Sequence, residues 1–276
     1  MKLAFSTAAC PEWSWARAIA KAVEFGFDGV EWRLAHESSV PPDIPDVLAA
    51  EIGAATAAAG LAVVAVDSGH ELPIAPQFDR DRGLAGICRG IEIARHLRAE
   101  RLVVAVGPYP ETVTDAQAAT WLREALTSLQ DNVRQTGVQL ALDLRCTLTW
   151  NRARLRAKTS SAFINDALWS LDQPGIGVQW DIGESYLEGE RADQVWDNIW
   201  PWLSYLQLRD IDRDESGWRN VAIGTGQLPV SFAIAYVGGS KYTGWTSLNW
   251  DRLANPDLAP AEEALPEFIS FVGQYV

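Results

Sequence analysis

The chain has 276 residues, 48% of them hydrophobic, which suits one large α/β domain with a closed core. Its 36 acidic residues outnumber the 23 basic ones, for a formal charge of -13; such a surface repels phosphate backbones and excludes nucleic acid as an expected partner. The opening MKLAFSTAAC lacks the apolar run of a signal peptide, and no run of about 18 apolar residues predicts a membrane span. Three scattered cysteines, Cys10, Cys88 and Cys146, argue against a disulfide framework and for a reducing, cytoplasmic setting.

Short apolar runs alternate with longer helical stretches along the whole chain, the pattern of βα units around a parallel sheet. KLAFS is the first predicted strand and residues 13–25 the first helix. DGVEWR leads to a helix over 47–59, with Gly60 at its C-cap, and LAVVAVDSG leads to one over 79–97. RLVVAVG precedes a helix over 114–135 that Gly137 stops, and VQLALDL precedes one over 160–171. GIGVQWD is followed by 192–199, LSYLQLRD by a glycine-containing loop and then 230–237, and GWTSLNW by 261–272. Eight strand–helix pairs predict a single (β/α)8 TIM barrel over residues 1–276. Functional groups in that fold stand at the C-terminal strand ends, so polar residues that close apolar strands are the informative ones.

Four consecutive strands close alike, with Asp143, Asp181, Gln207 and Asn249, each two residues beyond a position expected to face inward. If all four point inward, their oxygens converge, and converging oxygens suit a hard divalent cation such as Mg, Mn or Ca. The plainer alternative is that strand-end Asp and Asn cap the loops that follow.

The strings GFDGVEWR, LALDL, VQWDIGESY, LQLRD and TSLNWDR, in this order and over nearly the whole chain, resemble the xylose isomerase-like barrels, which include sugar isomerases and epimerases. The resemblance implies a divalent metal held by a Glu, an Asp, a His and a Glu on strands five to eight, the two glutamates also moving a proton beside a carbonyl. Those places fall on Asp143, Asp181, Gln207 and Asn249, and only Asp181 is unchanged. Asp143 keeps the charge on a shorter stem, Gln207 offers a weaker donor than imidazole, and Asn249 cannot act as a base. The expected cation is therefore weakly bound or absent.

Other groups bear on the same face. Glu31 closes the second strand with Arg33 two residues on, either as ligand contacts or as a structural pair. Glu184 follows WDIG, and Arg209 and Asp210 end the seventh strand, resembling a Lys–Asp step of the family. His70 is the imidazole nearest a strand end; His36 is a weaker candidate, and His96 falls inside a helix. Arg145 begins a basic stretch with Arg152, Arg154, Arg156 and Lys158, which either favours an anionic ligand or forms a solvated face. Trp32, Trp150, Trp180 and Trp250 lie near strand ends, where indole faces could stack on a sugar or serve the core. GTGQLP lacks the context of a phosphate loop and reads as a turn.

The reading that follows is an isomerase or epimerase acting on a small polyhydroxylated, anionic substrate. Asp143 is its expected base, with Glu184 or His70 as partner; Glu31, Arg33, Arg145, Trp180, Arg209 and Asp210 are expected to contact substrate. The alternative is a binding protein or silent relative that has lost the metal. A metal-dependent endonuclease of the same fold is disfavoured by three histidines and the negative charge. A homo-oligomer is compatible with either.

Overall fold

The computed structural model describes residues 1–107, 109–110, 112–144, 159–171, 173–215 and 217–275. Eight parallel strands close into a barrel: β1 (Lys2–Ser6), β2 (Gly29–Arg33), β3 (Ala62–Leu72), β4 (Arg101–Val106), β5 (Gln139–Asp143), β6 (Ile176–Asp181), β7 (Leu203–Leu208) and β10 (Trp245–Leu248). Neighbours in the ring follow chain order, and β10 closes it against β1 and β7. Around it lie α1 (Trp15–Phe25), α2 (Asp46–Ala58), α3 (Gln77–His96), α4 (Asp115–Thr136), α5 (Ser160–Trp169), α6 (Ile182–Leu187), α7 (Ala192–Ile199), α8 (Val230–Gly239) and α9 (Ala261–Val272). Glycines end two of these helices as expected: Gly60 and Gly137 have φ of 79° and 72°, a conformation open to glycine without strain.

Strand alternation divides the core in two. Leu140, Leu142, Val178, Trp180, Leu206 and Leu208 face the helices in the larger apolar cluster, while Ala4, Ala65, Val103, Ala141, Tyr205 and Trp245 fill the barrel. Trp245 fits beside Gly29, where a Cβ would lie 2.7 Å from Val64 Cγ2 and 3.0 Å from the Trp245 ring. Its indole N–H donates to both Glu100 oxygens at 3.1 Å. The N-terminal end of the barrel is thus plugged, and the polar strand ends stand at the other.

Three segments depart from the sequence reading. The third strand runs on to Leu72, beyond the expected Gly69. A short helix, α6, starts directly after β6, where none was expected. The seventh strand stops at Leu208, and the supposed loop after it holds an antiparallel hairpin, β8 (Asp210–Asp214) and β9 (Gly217–Val221). Asp210 explains that hairpin. Its buried carboxylate accepts backbone N–H bonds from Ile211, Gly224 and Gly226 at 2.9 Å and from Leu228 at 3.1 Å, gathering both ends of the excursion onto one side chain. Alternating apolarity cannot reveal such an anchor.

Asp210→Ala orphans two buried N–H groups and two partly buried ones, and is expected to lower stability by about 3 kcal/mol. A urea unfolding midpoint that falls with little change in slope checks this, while an unchanged midpoint contradicts the anchoring role.

Candidate active site

Glu31 lies at the centre of the strand-end layer, only 1% exposed. A carboxylate so enclosed needs donors, and three arrive from across the barrel. Gln207 Nε2 donates to Glu31 Oε1 at 3.1 Å and Oε2 at 3.3 Å, Ser247 Oγ donates to Oε2 at 3.1 Å, and the Tyr205 hydroxyl donates to Oε2 at 3.3 Å. Gln207 in turn accepts, through Oε1, from Gln179 Nε2 on β6. The chain of donors fixes the orientation of both amides, since the reversed Gln207 would turn an oxygen toward the carboxylate.

Asp181 anchors a second group. Its Oδ1 caps α6, accepting from the backbone N–H of Gly183 at 2.7 Å and Glu184 at 3.2 Å, and its Oδ2 accepts from Asn249 Nδ2 at 2.8 Å. The Arg209 guanidinium lies over the same carboxylate, Nε 3.2 Å from Oδ1, and its Nη2 pairs with Glu184 Oε1. Burial disfavours the charge on Arg209, but Asp181 and Glu184, joined by Asp143, outweigh it and hold the pKa above its ordinary value. Asp143 itself is 2% exposed, ends β5, and shares the inner face with Ala141.

On the far side of the mouth Arg33 Nη1 pairs with Asp67 Oδ2, and Asp67 Oδ1 accepts from Gly69 N at 3.0 Å. The Glu31–Arg33 pair that the sequence suggested is therefore replaced by Arg33–Asp67 and Glu31–Gln207. Arg33 also lines a cavity of about 620 Å³ with Pro11, Ala35, Glu37 and Arg252, between the loops that follow β1, β2 and β10.

Of the residues predicted from sequence, Glu31, Arg33, Asp143, Asp181, Glu184, Gln207, Arg209 and Asn249 stand at this face. His70 does not join them: it is exposed, with its ring against Gly86 of α3, where a Cβ would come within 2.9 Å of Nε2. Trp180 is fully buried on the helix-facing side of β6, its indole N–H donating to Ser185 Oγ at 3.0 Å, so alternation turns it away from any ligand at the mouth. Trp32 and Trp250 belong to the same outer cluster. The Asp210 carboxylate is taken up by backbone N–H groups. Arg145, Trp150 and the rest of the basic stretch lie outside the described residues. Four members escaped the sequence reading: Asp67, Gln179, Tyr205 and Ser247. Asp67 lies within β3, directly opposite Arg33 on β2, and the other three sit one alternation step below residues already singled out.

The donor set does not fit a divalent cation. Among the described residues no three His, Cys, Asp or Glu side chains are grouped to hold one. Both Asp181 oxygens accept N–H groups, Asn249 turns its amide nitrogen and not its oxygen inward, and a guanidinium occupies the approach. Metal ligation needs lone pairs aimed at one point, and here N–H donors are aimed there instead.

Fold, chain order and strand-end layer agree on one class: the chain belongs to the xylose isomerase-like TIM barrel family, whose model matches residues 19–271. Among solved structures it is similar to 3-keto-D-glucoside 4-epimerase YcjR from E. coli (16% identity, TM-score 0.74, 99% of each chain covered). It is similar also to the IolI protein with a bound zinc atom (14%, 0.78, 100% of this chain and 99% of that one) and to D-psicose 3-epimerase in the presence of D-fructose (16%, 0.75, 100% and 99%). A search of curated protein sequences finds no match.

Tyr205 carries a prediction in pH. Burial first, then the charges of Glu31, Asp67 and Asp143, push its phenol well above the usual 10.0. The folded state therefore keeps a proton that the unfolded chain releases, so this stability is full below pH 10 and is lost as pH rises beyond it. Burial pushes the Tyr242 phenol up as well, so ultraviolet titration through pH 10 is expected to leave two tyrosines un-ionised until unfolding, and Tyr205→Phe should halve that late step. A late step of undiminished size in Tyr205→Phe contradicts the assignment.

Proposed function

We propose that this protein is an isomerase or epimerase that moves a proton beside the carbonyl of a small polyhydroxylated, anionic substrate, with Asp143 as the base. One observation carries the reading: a carboxylate buried to 2% exposure closes a barrel strand on the inner face, within the field of the charged Arg209. Burial and a neighbouring charge are how a carboxylate is tuned for proton transfer, and a cationic donor beside it can hold the oxygen on which charge develops. The family, and two structural neighbours that are sugar epimerases, support the same chemistry. Arg33, Arg209 and, by its place in the chain, Arg145 favour a substrate with a carboxylate or phosphate.

The roles divide by what each side chain is already doing. Glu184 is engaged by Arg209 and acts by positioning the guanidinium; it is not a second base in this arrangement. Gln207 and Asn249 hold Glu31 and Asp181 in place. His70 has no part at the mouth. A single base on one side of the substrate favours transfer between adjacent carbons on one face over inversion, which needs a second proton carrier opposite.

Proton exchange across a panel of sugars tests this, whichever of them is the substrate. Aldoses, ketoses, keto sugars and their phosphates and acids are incubated with the protein in D2O, both with and without excess chelator, and followed by NMR. Loss of the proton signal beside a carbonyl is expected for at least one compound, slowed by about 10²-fold or more in Asp143→Ala. Exchange on none of them, or exchange indifferent to Asp143→Ala, contradicts the proposal; the first outcome favours a binding protein or silent relative.

A further inference from the structure

The misfit between the strand-end donors and a cation leaves the question of what holds developing negative charge. We infer that the Arg209 guanidinium is the electrophile of this site, acting through N–H donors, and that it selects α-hydroxy carbonyl compounds able to present two cis oxygens in one plane. The inference rests on the proton-transfer reading above and adds the group that makes it feasible.

Three observations carry it. First, Arg209 is only partly used: Nη2 pairs with Glu184, Nε lies near Asp181 with its N–H unaligned and forms no hydrogen bond, and Nη1 has no partner among the described residues. Buried polar groups are normally satisfied, and with Nε enclosed against Asp181 it is the unpartnered Nη1 of this side chain, 14% exposed, that is poised for a ligand oxygen. Second, it is held in place from three sides. Asp181 and Glu184 fix its charge, and Gly183 makes its room, because a Cβ there would run into Arg209 Nε. Third, Asp143 pairs in register with Gln179 on β6, two residues before the Asp181 that holds Arg209, and its charge adds to the field on the guanidinium, so base and electrophile stand on neighbouring strand ends.

The step balances without oxidant or reductant. Asp143 takes the proton from the carbon beside the carbonyl. The C–H electron pair becomes the C=C bond of an enediolate, and the carbonyl π pair moves onto oxygen, where Arg209 holds it. On return, Asp143 gives its proton to the former carbonyl carbon while the hydroxyl proton crosses to the oxyanion, which exchanges the two functional groups. Return to the original carbon instead gives exchange without net change. A guanidinium is planar and stays charged throughout, so it suits a planar pair of oxygens better than an ammonium would.

Oxalate, a planar dianion with cis oxygens, is the probe. Calorimetry in excess EDTA is expected to show oxalate binding to the wild-type protein, weakened about ten- to a hundredfold in Arg209→Met, the worth of a charged hydrogen bond, and less in Arg209→Lys. Arg209→Met leaves two carboxylates facing each other and can fail to fold. Arg209→Met with Glu184→Gln removes that strain, and Gly183→Ala displaces the guanidinium while keeping every charge; both should lose oxalate alike. Mn alone should not bind, nor change oxalate affinity. Wild type that ignores oxalate, binding that survives in the double variant, or binding that requires Mn overturns the inference. The two proposals fail separately: sugar exchange abolished by chelator removes Arg209 as electrophile but leaves the isomerase, whereas Arg209-dependent oxalate binding with no sugar exchange does the reverse.

Discussion

A carboxylate enclosed inside a closed barrel constrains everything around it, and Glu31 is that group here. Leaving it without donors would cost several kcal/mol, so β7 and β10 each supply hydrogen-bonding side chains at its level, and β6 supplies one to support them. Register does the rest. Ser247 pairs with Gln207 across β10 and β7, and Gln207 pairs with Asp181 across β7 and β6, so satisfying Glu31 also fixes where Asp181 stands.

From Asp181 the same logic runs outward into the loops. Capping α6 takes one of its oxygens and Asn249 takes the other, which leaves the carboxylate a neutraliser for Arg209 instead of a metal ligand. Substituting Gln for an imidazole and Asn for a carboxylate does more than weaken a metal site. Both amides bring N–H donors into a place where lone pairs would be needed, and the surrounding carboxylates accept them. The outcome is a polar layer bound together by its own hydrogen bonds, with a positive group at its edge.

Much of this was legible in the sequence because barrel topology and strand alternation are both periodic. Eight apolar runs predicted eight strands, and the rule that the residue two beyond an inward position also faces inward located Asp143, Asp181, Gln207 and Asn249. What stayed hidden was pairing. The partner of Glu31 is 176 residues away, and Arg33 chose Asp67 over its neighbour by sequence because β3 lies beside β2. The hairpin β8–β9 was missed for a related reason: its anchor, Asp210, works through backbone N–H groups of residues up to 18 positions later, which no apolar pattern records. Trp180 shows the opposite error. Aromatic character at a strand end suggested stacking, but alternation with Asp181 had already assigned it to the helix side.

If the strand-end side chains are engaged with one another and not with a cation, anomalous diffraction from crystals soaked in Mn should show no peak between Asp143, Asp181, Gln207 and Asn249, with Asn249 Nδ2 still bonded to Asp181. A peak about 2.0–2.6 Å from an Asp181 oxygen, with the Asn249 amide turned to present its oxygen, would contradict it.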